Sequence, residues 1–462
     1  MLHIENPTDE SHIKDIETDT PDSIKDAFLR AKRAQKEWRK RPYQERAAAI
    51  SSFRDALAAD EDELARLLTQ EMGKPLGQAL GEIRGTRARI DFFLAHTEQF
   101  LRQEQVLPTE DTEDLPAMRE VISYDPLGVV ANISAWNYPY FVGSNVFIPA
   151  LLTGNAVLYK PSEFTTLTGL AIVERLHNAG IPKDVCIAVV GGGDVGAALL
   201  NQPLDGVFFT GSYATGKKIL SAAAQQMMKV QLELGGKDPV YICDDVDVQQ
   251  TAISAAEGAF YNAGQSCCAI ERIYVHKDIY EPFVEAFVEA VKDYKVGDPM
   301  EEGTFIGPLA RGAQFEVLQQ QIDDAQAKGA TCLLGGTPLE GKGHFFAPTV
   351  FRDVNHDMLL MKDETFGPVI GIQAVENDAE AIEKMCDTEY GLTAGVFTQD
   401  MQRAEAILAE MDTGSVYWNC CDRVSPRLPW TGRNHSGMGS TLSHIGITTF
   451  LKPKAWHMRR PA

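Results

Sequence analysis

Between residues 129 and 243 the chain lays down six short apolar runs: Val129 to Ile133, Ala156 to Lys160, Ile187 to Val190, Gly206 to Phe209, Lys229 to Leu232 and Val240 to Cys243. Helical stretches separate most of them. Short apolar runs of this kind suit strands covered on both faces, and strand–helix–strand succession supplies the long crossovers that parallel neighbours need. The fold class predicted is therefore α/β, with layers of helices on largely parallel sheets. In such sheets ligands sit at the carboxyl ends of the strands, where Asn137, Lys160 and Gly211 fall. A second alternating series, from about Ala252 to Gly439, carries Cys267 between a helix over Val248 to Tyr261 and a strand over Arg272 to His276.

Before the first series the pattern is helical. Thr20-Pro21 can cap and start a helix whose apolar positions Ile24, Ala27, Phe28, Ala31, Ala34 and Trp38 share one stripe. Asp60 with Glu63 gives a capping-box-like start to a later helix that ends near Gly73-Lys74-Pro75. The acid- and proline-rich stretch Glu104 to Pro116 reads as a connector before a strand over Met118 to Tyr124.

Several function classes are excluded. A formal charge of −22 on 462 residues repels polyanions, so no nucleic-acid partner is expected. Tyr140 to Tyr159 is free of charge, but Gly143, Pro149, Gly154 and Asn155 within it suit a buried helix, a turn and a strand rather than a membrane span. The first residues lack a basic start and an apolar core, so a cytoplasmic location with reduced thiols is expected. Eight cysteines in a chain this long do not make a disulfide framework, and neither Cys267-Cys268 nor Cys420-Cys421 has zinc-site spacing. No metal is expected.

Two segments carry chemistry. Asn262-Ala263-Gly264-Gln265-Ser266-Cys267-Cys268 offers a thiol among small residues, open to a small electrophile. Glu233-Leu234-Gly235-Gly236-Lys237 offers a carboxylate beside a glycine turn. Together they suggest attack on a carbonyl. A third motif, Gly191-Gly192-Gly193-Asp194-Val195-Gly196, satisfies half of the dinucleotide fingerprint, but no Asp or Glu occurs in Phe209 to Lys218 to hold a ribose.

These two segments resemble the signature segments of the aldehyde dehydrogenase superfamily. Trp136-Asn137-Tyr138-Pro139, Lys160-Pro161-Ser162-Glu163, Phe209-Thr210-Gly211-Ser212 with Gly216, and Glu364-Thr365-Phe366-Gly367-Pro368 follow in the family's order. The resemblance implies two Rossmann-like α/β domains with a small β extension. Residues 1–106 and 127–235 would bind the dinucleotide, 236–445 would carry catalysis, and 107–126 with 446–462 would mediate assembly into a homodimer or homotetramer. It implies oxidation of a small-molecule aldehyde to a carboxylic acid. Cys267 is then the nucleophile, Asn137 with the Cys267 N–H stabilises the developing oxyanion, and Glu233 is the base that hydrolyses the thioester. Coenzyme A-acylating relatives generally lack that carboxylate, and a crystallin-like scaffold would be expected to lose one of the three groups.

The cofactor implied is NAD, with NADP as the alternative. Trp136, Gly211 and Ser212 belong to its binding cleft, and Lys160 and Glu163 face the adenosine ribose, where a carboxylate repels a 2′-phosphate. Glu364 matches the residue holding the nicotinamide ribose and Phe366 the aromatic beside the ring, while Gly191 to Gly196 borders the adenine. The aldehyde funnel implied includes Tyr138, Phe141, Val142, Asn145, Cys268, Asp422, Arg423, Val424 and Trp430. Ser266 and Cys268 read as packing neighbours of the nucleophile. Arg423 is unusual there and could pair with a substrate carboxylate, as in a semialdehyde; the competing reading is an ion pair with Asp422 or another acid. Other substrates that fit are medium-sized aliphatic or aromatic aldehydes. One departure stands out: where many members read Ser-Gly-x-Gly-Arg-Glu, this chain reads Ser436-Gly437-Met438-Gly439-Ser440-Thr441, without the glutamate that serves a proton path in some relatives.

Overall fold

Alternate residues of a strand point to opposite faces, and here both faces are apolar. Val130, Val157, Tyr159 and Phe208 enter one core, while Val129, Ala131, Leu158, Val207 and Phe209 enter another on the opposite side of the same sheet. Each such side chain contributes roughly 1.5–3 kcal/mol on burial, which fixes the register of strands this short. The computed structural model describes residues 1–107, 118–459 and 461.

This sheet has six strands in the order Gly437–Met438, Lys229–Glu233, Gly206–Thr210, Val129–Ile133, Ala156–Lys160 and Cys186–Ala188. All neighbours are parallel except the first pair, in which Gly437 lies opposite Glu233. The chain order reverses on either side of Val129–Ile133, so the crevice beyond Ile133 and Thr210 is a topological switch point, the place where such sheets bind ligands. A second sheet has seven strands in the order Thr331–Leu334, Thr349–Arg352, Val369–Val375, Arg272–His276, Pro239–Ile242, Thr393–Phe397 and Ser415–Trp418. Only its first pair is antiparallel. A three-stranded antiparallel sheet, Leu451–Arg459, Met118–Pro126 and Glu104–Gln105, stands apart from both. The predicted α/β class is the one observed.

Thr20 caps helix Pro21–Trp38, accepting from the Ser23 N–H at 3.2 Å. The uncharged stretch after Tyr138 forms the buried helix Pro139–Leu152, a turn, and strand Ala156–Lys160. Among the described residues no helix is long and apolar enough to cross a membrane.

Some expectations need correction. Asp60 precedes helix Glu61–Met72 but makes no side-chain cap, because Asp60 and Glu63 are both drawn to Arg175, at 3.1 and 2.7 Å. The strand expected over Ile187 to Val190 is Cys186–Ala188, and it ends there because the Val190 N–H turns to the Asp19 carboxylate at 2.7 Å. Within the expected assembly segment 446–462 the strand starts only at Leu451, since Ser443–Thr448 closes into a helical turn. In the expected connector, Glu104–Gln105 instead pairs as a short edge strand, and residues 108–116 of it lie outside the described residues.

Candidate active site

The thiol stands on a backbone that an unconstrained chain avoids. After helix Val248–Phe260, Asn262, Ala263 and Gly264 take successive left-handed φ values of 54°, 56° and 70°. Two non-glycine residues in that region cost roughly 1–2 kcal/mol each, so neighbours must hold them. Gln78 Oε1 accepts the Asn262 N–H at 3.0 Å, Asn262 Nδ2 donates to the Gln265 carbonyl at 3.1 Å, and Gln265 Oε1 accepts the Ala310 N–H at 2.9 Å. At Gly264 a Cβ would lie 2.3 Å from the Gly367 carbonyl oxygen, so no larger residue fits.

The carboxylate segment reaches this loop through its glycines. A Cβ on Gly236 would sit 2.8 Å from the Cys267 carbonyl oxygen, and one on Gly235 would sit 2.1 Å from the Glu364 carboxylate. Bare backbone at both positions lets the strand Lys229–Glu233 lead directly under the thiol loop, and the Gly236 N–H donates to Glu364 Oε1 at 3.1 Å. Behind it Lys237 is fully buried and held by Glu271 at 2.6 Å and Thr365 at 2.9 Å.

Glu233 is only 3% exposed. Its carboxylate accepts from the Thr441 hydroxyl, from Gln231 Nε2 at 3.0 Å and from the Thr210 hydroxyl at 3.4 Å. Burial outweighs these donors and pushes its pKa up to about 7. Asn137 is held by its backbone carbonyl, which accepts from buried Lys74 at 2.6 Å, and its side-chain amide donates to the Gln265 carbonyl at 3.2 Å. Among the described residues the Cys267 N–H meets no acceptor.

Two cavities meet at the thiol. One, of about 890 Å³, lies at the switch point and contains Asn137 and Glu233; the other, of about 610 Å³, is lined by Tyr138, Tyr261 and Asp422. Among the described residues Cys267 is the one common to both linings. In the larger cavity lie Trp136, Lys160, Glu163, Gly211, Ser212, Glu364 and Phe366, with Gly193 and Gly196 of the glycine motif. Trp136 and Phe366 meet edge to face at 5.5 Å. Lys160 is buried, its ammonium reaching only the Pro161 carbonyl at 3.3 Å and Glu163 at 3.9 Å. Ser212 caps helix Tyr213–Ala224. Burial pushes Glu364 up to about 8.

The smaller cavity takes in Tyr138, Phe141, Asn145, Arg423 and Trp430. Cys268 and Ser266, both buried as expected of packing neighbours, line it too. The Cys268 thiol donates to Asp422 Oδ1 at 2.9 Å, and a hydrogen bond with Cys267 together with burial holds it well above the usual thiol range. Arg423 is exposed and makes no ion pair among the described residues. Sequence reasoning missed Arg89, Glu82, Tyr261 and Cys420-Cys421 in this lining. The signal for the first two was present: they interrupt the buried stripe Ala79, Ile83, Ile90 and Phe93 of helix Leu76–His96 with charge.

Known proteins share this fold. Residues 1–456 match the aldehyde dehydrogenase family. The chain is 34% identical over 462 residues to a chloroplastic betaine aldehyde dehydrogenase of Beta vulgaris, covering 98% of this chain and 92% of that one. With a peroxisomal aminoaldehyde dehydrogenase 1 of Pisum sativum it shares 35% identity over 458 residues, covering 97% and 90%. A crystal structure of betaine aldehyde dehydrogenase from Staphylococcus aureus in complex with NAD+ superposes with a TM-score of 0.93 at 31% identity, covering 98% and 90% of the two chains. A match along nearly the whole length joins the thiol loop, the carboxylate strand and both sheets in one inheritance, and the chain belongs to the aldehyde dehydrogenase family, as an oxidoreductase that acts on aldehydes.

Proposed function

We propose that the protein oxidises an aldehyde to the carboxylic acid with NAD, or with NADP as the alternative, using Cys267 as nucleophile and Glu233 as hydrolytic base. The observation that carries this reading is that, among the described residues, Cys267 alone lines both cavities, so an aldehyde in one and a dinucleotide in the other meet at its sulfur. Residues 1–106 and 127–235 form the dinucleotide-binding unit in this reading, and 236–445 the catalytic one.

The larger cavity fits a dinucleotide. Lys160 offers a buried ammonium with donors to spare, the N-terminus of helix Tyr213–Ala224 favours an anionic diphosphate, and Glu364 offers a carboxyl group to a ribose. Glu163 near Lys160 favours NAD, because it would repel a 2′-phosphate. The chemistry that a nicotinamide dinucleotide supplies there is hydride acceptance.

Cys267 attacks the carbonyl carbon through Sγ, and the charge that develops on oxygen is stabilised by the Asn137 side-chain amide and the Cys267 N–H. Once the acyl group is a thioester on Sγ, Glu233 takes a proton from water, which attacks the thioester and returns the thiol. A base with pKa about 7 is half ionised at neutral pH and strong enough to activate water. That carboxylate also favours hydrolysis over transfer to coenzyme A, and the intact set Asn137, Glu233 and Cys267 speaks against a non-enzymatic scaffold. The edge strand Leu451–Arg459 with exposed Trp456 and Met458 supports a homodimer or homotetramer.

The test is aldehyde-dependent NADH and NADPH formation with and without coenzyme A. Activity without coenzyme A, abolished in Cys267→Ala while dinucleotide still binds, is expected. Activity that requires coenzyme A, or that survives in Cys267→Ala, would reject the mechanism.

A further inference from the structure

Arg89 is a buried cation on which Glu233, Glu82 and Asp422 act from beyond ion-pair distance. It is 6% exposed, stands on the core-facing stripe of helix Leu76–His96, and lines the 610 Å³ cavity that ends at Cys267. Its Nη1 donates to Asn145 Oδ1 at 2.9 Å, and its guanidinium carbon lies 3.8 Å from the centre of the Phe141 ring. No carboxylate lies within ion-pair reach among the described residues, which leaves the Nε–Nη2 edge without a protein acceptor. Burial draws its pKa down to about 10, so it stays charged at neutral pH. Burying an unpaired guanidinium works against folding, and a methionine would fill the same space without that penalty. Such a group persists when its partner arrives with the ligand.

The other charges of the cavity are engaged or peripheral. Glu82 is neutralised by Lys74 and accepts the Tyr140 N–H at 2.9 Å. Asp422 accepts from the Cys268 thiol, and Arg423, Arg89 and Lys74 all face it. Glu257 and Arg423 stand exposed at the rim, and Arg423 adds a second unpaired cation there.

We propose that Arg89 receives a substrate carboxylate through its Nε–Nη2 edge, so that the preferred substrate is a carboxylate-bearing aldehyde with its carbonyl carbon at Cys267. This rests on the reading of Cys267 as an aldehyde-oxidising nucleophile and extends it to the substrate's far end. The planar fork of an arginine matches a carboxylate in two parallel hydrogen bonds, an arrangement a lysine cannot copy. Arg423 at the entrance favours entry of the same anion.

The experiment compares kcat/KM of the full-length enzyme for succinic semialdehyde, butanal and 4-aminobutanal. Wild type is expected to favour succinic semialdehyde over butanal by about 100-fold. In Arg89→Met that ratio should fall to within about threefold of one, and Arg89→Lys should restore part of it. Reading the ratio cancels any effect of the substitution on Glu233 or on folding yield, which acts on all three substrates alike. As a measurement on wild type alone, butyrate should inhibit at least tenfold more strongly than butanamide. A wild-type ratio near one, a preference for 4-aminobutanal, equal inhibition by butyrate and butanamide, or an unchanged ratio in Arg89→Met would each overturn the assignment. Oxidation of butanal with no carboxylate preference removes only the role of Arg89. Oxidation of none of the three aldehydes removes the underlying reading of Cys267 as well.

Discussion

The hydroxyl of Thr441 donates to Oε1 of Glu233 across 208 positions of sequence, joining the short antiparallel pair of Gly437–Met438 with Lys229–Glu233 to the buried carboxylate. Thr441 falls where the resemblance to the family leads one to expect a glutamate, and here a neutral donor stands beside the carboxylate. Thr210 and Gln231 complete the set of donors, and the carboxylate is held by three neutral groups.

Removing that hydroxyl should move the pH profile. The Thr441 hydrogen bond lowers the pKa of Glu233, which burial alone would set higher. In wild type, hydrolysis should rise with pH through about 7 as the base ionises. Thr441→Val should shift that limb upward by about one unit, the size of one hydrogen bond to a charged acceptor. Steady-state kcat from pH 5.5 to 9 checks it; an unmoved limb would show that Glu233 does not set the profile.

Glu233→Gln should separate acylation from hydrolysis. A single-turnover burst of NADH is expected to persist, while the steady-state rate falls by about 100- to 10,000-fold, the span associated with losing a general base. Stopped-flow absorbance resolves the two phases. A burst lost together with the steady state would place Glu233 in the first step instead.

The same variant has a stability signature. The carboxyl titrates at its ordinary value of 4.5 when unfolded and at about 7 when folded, so the folded form binds more protons between those values. The destabilisation is absent below pH 4.5 and complete above pH 7. Glu233→Gln should therefore stabilise the fold relative to wild type at pH 8, by no more than about 3 kcal/mol and visible as a higher Tm, and the gain should vanish near pH 4. Calorimetry at both pH values tests the sign.

Gly236→Ala should impair catalysis more than folding. The added methyl meets the Cys267 carbonyl oxygen at 2.8 Å and must push the thiol loop away from Glu233 and Asn137. A loss of more than tenfold in kcat/KM with Tm lowered by only a few degrees is expected, since a misplacement near 1 Å costs about 100-fold. Activity near wild type would mean that the loop can yield without consequence.

Assembly should depend on the terminal edge strand. Trp456→Asp with Met458→Asp places charge on the exposed side chains of Leu451–Arg459, and light scattering should register a smaller assembly than in wild type. A wild-type monomer would end that reading.

The sequence by itself determined the strands and the reactive residue types carried beside them. Strand Val129–Ile133 and strand Arg272–His276 were legible to the residue, because apolar runs bounded by turn residues are local signals. The thiol and carboxylate were legible because glycines beside them announce close backbone approach. What only the tertiary structure decided is what arrives from elsewhere. The partners of Glu233, the capture of Asp60 and Glu63 by Arg175, and the place of Arg89 beside Phe141 and Asn145 all join residues far apart in the chain. Local pattern encodes which face of an element is buried, whereas burial of a charge and the choice of its partner are settled only when separate elements close on each other and exclude water.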